Sequence, residues 1–509
     1  MHPEDLGRTR RRTPATSGVL GRPVGRRAVL GGALSLATAA GLAACTRGTS
    51  SPGVTVGPGD PSVAAAEQAR TRAGVAVHRV QLTAAPARVD LGGPVVDTWA
   101  YGGAVPGQEI RLPAGDRLSV ALVNQLTDPT TVHWHGLALR NDMDGVPEVT
   151  QPAVRPGGDM LYEFTVPDPG TYWFHPHVGT QLDRGLYAPL IVEDPDEPLG
   201  YDAEHVVVLD DWVDGTGRTP DQVLGELQSM GMDMSSDGPS SAALGGDAGD
   251  VAYPMYLVNG RVPQAPNTVT FKPGTRVRLR LINAGADTAF RVALTGHRLT
   301  VTHTDGFPVE QVDGDAILIG MGERFDALVT LGDGVFALVA SAEGKDGLAR
   351  ELIRTGSGDP PAADTRPPEL SGALLTGNML HATEDVALPD QTVDREHQLI
   401  LDGQMSDYRW TINGRGYDEH RPLPVTAGQT LRLTMTNNTT MFHPMHVHRH
   451  TFQLRPSEGA GARKDTVNVL PGQTVVADLI ADNPGQWLIH CHNLYHAEAG
   501  MMTTLSYRR

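Results

Sequence analysis

The chain has 509 residues, too many for one hydrophobic core, so two to four domains are expected. Its 59 Gly and 38 Pro, against 5% aromatic residues, come with many short segments bounded by Pro-Gly or Ala-Gly, a pattern that favours all-β over α/β. No glycine loop opens a helix as a nucleotide site requires, and a formal charge of −18 excludes nucleic acid as an expected partner.

The N-terminus reads as an export signal. Arg8, Arg10, Arg11, Arg12, Arg22, Arg26 and Arg27 precede an apolar run from Ala28 to Ala44. The Arg26-Arg27 pair directly before that run points to the twin-arginine route. The run closes on Leu42-Ala43-Ala44-Cys45, which resembles the bacterial lipoprotein cleavage box. That implies cleavage before Cys45, a lipid on its sulfur, and anchoring to the outer face of the cell membrane. Loss of residues 1–44 removes seven basic and two acidic side chains and moves the charge from −18 to −23. Residues 45–74, rich in Ser, Gly, Pro, Thr and Ala, are expected to be a flexible tether.

A repeat then organises the chain into three β-domains, expected at 75–196, 197–354 and 393–509 with a linker over 355–392. In the first, Ala114-Gly115 leads through alternating residues to Asn124. In the second, Pro273-Gly274 leads to Asn283, and in the third Ala427-Gly428 leads to Asn437. Each copy runs nine residues from Gly to Asn and alternates apolar with polar, as a half-buried strand does. Units of this size built from short strands suit Greek-key β-sandwiches.

The histidines follow the repeat. Nine residues after Asn124 stands His133, then His135; nine after Asn437 stands His446, then His448. A second matched block places His175 eighteen and His177 twenty residues after Gly157, and His490 and His492 at the same offsets from Gly472. The middle copy has Val292 at the first position and Val339-Ala340-Ser341 near the second, so it is expected to be a spacer. In a strand, His-x-His puts both rings on one face. Two pairs from each of two facing domains supply eight imidazoles, enough for a cluster of three metal ions with positions left for a diatomic ligand.

The C-terminus adds a different centre. Cys491, His496 five residues on and Met501 ten on are three of the four groups of a blue copper site. In an extended strand Cys491 points away from His490 and His492, so one covalent segment joins an electron-accepting copper to the cluster behind it. The first domain has Pro176, Gln181, Leu186 and Thr130 where the third has Cys491, His496, Met501 and His443, so one blue site is expected. His450 aligns with Leu137 and reads as a structural histidine; His78, His205, His297, His303, His381, His397 and His420 have no repeat logic.

The segments His133-Trp-His-Gly136, His175-Pro-His177, His443-Pro-Met-His-Val-His448 and His490-Cys-His-x3-His496-x4-Met501 resemble the multicopper oxidases, in particular their three-domain bacterial laccase and copper-oxidase branch. The resemblance spans about residues 75–509 and implies three cupredoxin-like domains and four coppers. By motif, type 1 copper takes His443, Cys491, His496 and axial Met501. Type 2 copper takes His133 and His446. The type 3 pair takes His135, His175, His177, His448, His490 and His492. The implied activity oxidises a one-electron donor at the exposed edge of a type 1 histidine and reduces dioxygen to water. Relatives carry an acid directly after the last type 1 His; here that position is Ala497 and the acid is Glu498. Asp144 sits where relatives place an acid behind the cluster, with an ordinary Asp-Gly turn as the alternative.

Donor identity stays open at this level among phenols, pigments, Mn(II), Fe(II) and Cu(I). Met230-Gly-Met232-Asp-Met234 offers three thioethers of a kind that favours Cu(I), although a plain surface insertion is the preferred reading. Competing functions are a copper-binding electron carrier or buffer, which leaves eight matched histidines unexplained, and a copper nitrite reductase, which splits its catalytic site between subunits. Both halves of the cluster in one chain argue against the reductase, and a monomer is expected.

Overall fold

The computed structural model describes residues 53–230, 238–457 and 459–509. The expected signal, Cys45, Met232 and Met234 lie outside the described residues, as does the side chain of Met230. Six large sheets form three successive two-sheet sandwiches, with four and four strands in the first, six and six in the second, and six and five in the third. The all-β expectation holds, and the three sandwiches are cupredoxin-like.

The repeat is visible in backbone geometry. Gly115, Gly274 and Gly428 take left-handed φ of +89°, +82° and +86°, where side-chain-bearing residues are strained. Two residues later begin the strands Arg117–Asn124, Arg276–Asn283 and Thr430–Asn437. Each lies parallel to the first long strand of its sandwich, Val77–Asp90, Ala203–Trp212 or Arg395–Gln404. The closing Asn is a clamp in all three. Asn124 Nδ2 donates to Asp128 O and Val154 O at 2.9 and 2.8 Å. Asn283 Nδ2 donates to Thr288 O and Ile319 O at 2.9 and 3.0 Å, and Asn437 Nδ2 to Met441 O and Val469 O at 2.7 and 2.9 Å. A short amide side chain serving two carbonyls satisfies the loop that leaves the strand.

The second sheets carry the histidines. His133–His135 pairs antiparallel with Gly170–His175, which sets His133 opposite His175. His443–Val447 pairs with Gln486–Cys491 and sets His446 opposite His490. In the middle sandwich the same register puts Val292 opposite Ala340.

Two expectations of looseness are corrected. Within the expected tether, Pro61–Arg70 is an α-helix, with Asp60 Oδ1 accepting from Ser62 N–H at 2.9 Å and Pro61 at the start. Asp-Pro-Ser followed by an Ala run is a helix-start signal that composition alone obscured. The strap continues into both outer sandwiches. Val56 N–H donates to Tyr507 O at 2.9 Å, and Gln486 Nε2 donates to Val56 O at 2.8 Å. Val63 is buried, and Glu67 Oε1 accepts from Thr165 N–H at 2.7 Å. The expected linker is likewise packed in its second half. Leu374–Leu375 pairs parallel with Ala316–Ile317, and Leu370, Leu375 and Leu380 are buried.

Glu67→Ala should strip the buried Thr165 N–H of its acceptor and lower unfolding free energy by ~1–3 kcal/mol. A shift of the denaturant midpoint, largely restored in Glu67→Gln, checks this; an unmoved midpoint means the strap is not tied down there.

Candidate metal centres

Strand pairing brings the eight matched imidazoles to one place between the first and third sandwiches. Three groups place their ligand atoms within 4.8 Å of one another: His135, His175 and His492; His177, His448 and His490; and His133, His135 and His446. The first two triads each mix histidines from both sandwiches. His133 and His446 remain as the bridging pair beside His135. A fourth group, His443, Cys491 and His496, lies apart from these within the third sandwich.

Most outer nitrogens are anchored and the inner ones of five rings left free, while His448 Nε2 and His177 Nε2 lie 3.1 and 3.5 Å from His490 Nε2. His133 Nδ1 donates to Asp144 O at 3.0 Å, His446 Nδ1 to Asp465 O at 2.9 Å, and His175 Nδ1 to Pro176 O at 2.9 Å. His448 Nδ1 donates to Asp144 Oδ2 at 2.9 Å, and His490 Nδ1 to Cys491 O at 2.8 Å. Each acceptor fixes the tautomer and leaves a lone pair on the other nitrogen. His135 is turned round: Nε2 meets Asp465 Oδ1 at 3.2 Å and Nδ1 faces inward. His133 Nε2, His135 Nδ1, His175 Nε2, His446 Nε2 and both nitrogens of His492 are buried without any hydrogen-bond partner. Burial, then the neighbouring imidazoles, holds His135, His175, His177, His448, His490 and His492 well below the ordinary histidine range. Neutral rings with orphaned lone pairs converging on one point fit a copper cluster.

The single-thiolate site fits equally. Cys491 Sγ lies 3.6 Å from His443 Nδ1 and 3.7 Å from His496 Nδ1, and the two nitrogens are 3.1 Å apart. Met501 is buried, with its N–H on His496 O and its O on Cys491 N–H. Burial pushes the Cys491 thiol up and holds His443 down, so a metal ion must displace the thiol proton on binding.

Several partners carry no signal in sequence spacing. His443 Nε2 meets Thr439 Oγ1 at 2.8 Å, and His496 Nε2 meets Asp250 Oδ2 at 3.0 Å. Trp410 lies against the His496 ring at a centroid distance of 4.0 Å. Both His443 and His496 are fully buried, so the expected exposed histidine edge is corrected: Asp250, Tyr408 and Trp410 close it. The middle sandwich is more than a spacer. Its Arg324, fully buried, grips Asp465 through Nη1–Oδ1 at 2.8 Å and Nη2–Oδ2 at 2.5 Å. Burial alone would raise the Asp465 carboxyl, but Arg324 overrides it and holds it well below the usual range. Gly322 abuts the cluster so closely that a Cβ would stand 2.8 Å from His492 Cδ2.

Asp144 holds His448 and touches His133, at 3.2 Å from its Nδ1. Glu498 lines a cavity of about 20 Å³ with His175, His177, His490 and His492, room for one water molecule or a diatomic ligand. Burial raises its carboxyl to about 7. His450 joins no metal group and bonds to Tyr507 Oη at 2.7 Å.

Comparison with known proteins agrees with this geometry. Three segments match multicopper oxidase family models, at residues 84–197, 203–357 and 391–509. The chain is 52% identical to multicopper oxidase MmcO of Mycobacterium tuberculosis, over 88% of this chain and 90% of that protein. It is 26% identical to copper resistance protein A of Escherichia coli over 82% and 91% of the two chains. The crystal structure of a multicopper oxidase from Pseudomonas thermotolerans superposes with TM-score 0.67 at 29% identity, covering 85% of this chain and all of that one.

The two centres should separate by substitution. His135→Ala is expected to keep the blue thiolate band and stop oxygen uptake, because His135 serves only the cluster; Cys491→Ser should lose both. Copper content, visible spectra and oxygen consumption decide it, and bleaching of the band by His135→Ala with type 1 copper retained would contradict the partition.

Proposed function

The chain belongs to the multicopper oxidase family, and from that premise we propose that its natural donor is a metal ion, cuprous copper first, in a role in copper tolerance outside the cytoplasm. Bound copper supplies the redox chemistry, one-electron oxidation of a donor at the type 1 position and four-electron reduction of dioxygen to water at the trinuclear cluster. Membership sets aside the electron-carrier and nitrite-reductase alternatives.

The protein's contribution is connection, orientation and proton supply. Cys491 ties the two centres together through one peptide on each side, and its carbonyl also accepts from His490 Nδ1. This gives electrons a short bonded path. Asp144 and Asp465 orient the rings from behind, and Glu498 stands at the small cavity where a proton can be handed inward.

The observation that carries the donor reading is the acid pair over the type 1 edge. Asp250 Oδ2 holds His496 Nε2, while Asp250 Oδ1 and Asp247 Oδ1 are buried and unpartnered. Burial, then repulsion from Asp250, raises the Asp247 carboxyl to about 6. A cation docked there would satisfy both acids at once and reach the electron-accepting His496 through Asp250 Oδ2, whereas an uncharged phenol can donate one hydrogen bond to only one of them. The helix Pro220–Met230 packs against the turn that leads into Tyr408, whose hydroxyl donates to Asp250 Oδ2 at 2.5 Å. The match to a protein named for copper resistance supports the same reading. We read the enzyme as a monomer, exported by the twin-arginine route and anchored through a lipid on Cys45.

Asp250→Asn should lower kcat/KM for Cu(I) by ~10–100-fold, the effect of losing one charged contact of ~1.4–3 kcal/mol, and lower that for a phenolic dye less. Equal losses on the two donors would reject the cation reading. For location, Cys45→Ala should release active enzyme from membranes and Arg26→Lys with Arg27→Lys should retain the precursor in the cytoplasm; failure of labelled fatty acid to attach to the wild type would rule out the anchor.

A further inference from the structure

All four type 1 ligands come from the third sandwich, yet the groups that fix the site from outside converge on one carboxylate of the second. Asp287 is fully buried. Its Oδ1 accepts from Asn493 Nδ2 at 2.6 Å and from Asp250 N–H at 3.1 Å. Its Oδ2 accepts from Val251 N–H at 3.0 Å and Lys345 Nζ at 2.6 Å. Lys345 is held in turn by Val251 O, Asp287 O and Thr288 Oγ1.

Both ends of the His496–Asp250 contact therefore hang on Asp287. On one side, Asn493 follows the His-Cys-His segment, and its Oδ1 caps the turn by accepting from Tyr495 N–H and His496 N–H at 3.1 and 3.3 Å. Leu494 N–H donates to Ala286 O at 2.9 Å, beside Asp287. On the other side, Asp287 holds the backbone of Asp250 and Val251. We propose that Asp287, charge-paired with Lys345, is a positioning residue for the type 1 centre: it sets the His496–Asp250 contact and, through its charge, the reduction potential of the copper.

The sign of the effect follows from electrostatics. A buried carboxylate favours the more positive, oxidised ion, and a buried ammonium opposes it; both act through a medium that screens far less than water. Neutralising Asp287 leaves the Lys345 charge unopposed and favours the reduced state. Neutralising Lys345 leaves the carboxylate unopposed and favours the oxidised state. Simple loosening of the site moves both variants in the same direction. The inference rests on the copper reading above.

The test uses copper-loaded wild type, Asp287→Asn and Lys345→Met. Copper content and the blue band are read first, then the type 1 ion is poised against a one-electron mediator. Asp287→Asn should keep the band and shift the equilibrium about tenfold toward the reduced protein, ~59 mV for one electron. Lys345→Met should shift it about tenfold the other way, and Asp287→Glu should restore much of the wild-type value. A wild type without a blue band refutes the copper reading itself. A blue wild type whose two variants leave the potential unmoved, or move it in one direction, overturns this inference, whatever their melting temperatures. Should Asp287→Asn fail to fold, Lys345→Met decides alone: a downward shift supports the inference and no shift or an upward one overturns it.

Discussion

The buried ion pair between Arg324 and Asp465 is the contact on which the cluster depends. Arg324 belongs to the middle sandwich and Asp465 to the third, and Arg324 Nε also donates to Thr171 O of the first at 3.1 Å. Asp465 then presents Oδ1 to His135 and its carbonyl to His446, one ring from each outer sandwich. Asp305 completes the junction by accepting from the N–H groups of Arg324, Asp465 and Thr466. Removing one partner of such a pair typically costs ~3–5 kcal/mol, because the other is left charged and buried. Gly136 is required beside it: a Cβ there would stand 2.4 Å from Arg324 Nη2 and 2.7 Å from Asp465 Oδ2. The glycine after the His-x-His pair thus makes room for the ion pair that orients the second histidine.

The same logic gives the middle sandwich its place. It has lost the ligand positions and keeps the register, with Val292 and Ala340 where the outer domains pair histidines. In exchange it reaches both centres from behind, with Arg324 and Gly322 at the cluster and with Asp250 and Asp287 at the type 1 site. Metal ligands set what can bind; the outer contacts set which nitrogen faces the ion and how firmly.

Sequence spacing exposed the parts that repeat and hid those that do not. Asn124, Asn283 and Asn437 stand at equal offsets because each closes the same loop, and the histidine pairs follow from them. Asp144 was legible only through the family resemblance, which places an acid behind the cluster. Asp465 is its counterpart, since the carbonyl of each accepts from the Nδ1 of a matched histidine, His133 or His446. An insertion moves it from eleven residues after His133 to nineteen after His446, and the alignment breaks. Arg324, Asp250 and Asp287 come from a domain without ligands, so no periodicity points to them. The helix Pro61–Arg70 had its capping signal, and only a compositional reading hid it.

Burial ties folding to metal loading. Five of the eight cluster imidazoles, His133, His135, His175, His446 and His492, hold a buried nitrogen with no partner, and every such atom costs free energy until something occupies it. The rings cannot relieve one another by taking up protons, because burial and mutual repulsion keep them neutral. Copper is the natural occupant of such a set: it needs neutral imidazoles, displaces the thiol proton, and converts unsatisfied lone pairs into bonds. The ligands come from two sandwiches in each type 3 triad, so the binding free energy also holds those sandwiches together. The contacts that close the molecule without metal, from Arg324 to the N-terminal strap, have to be strong enough to hold repelling, unpaired groups at the right spacing. Their position at the domain junctions, rather than within any one core, is what that requirement predicts.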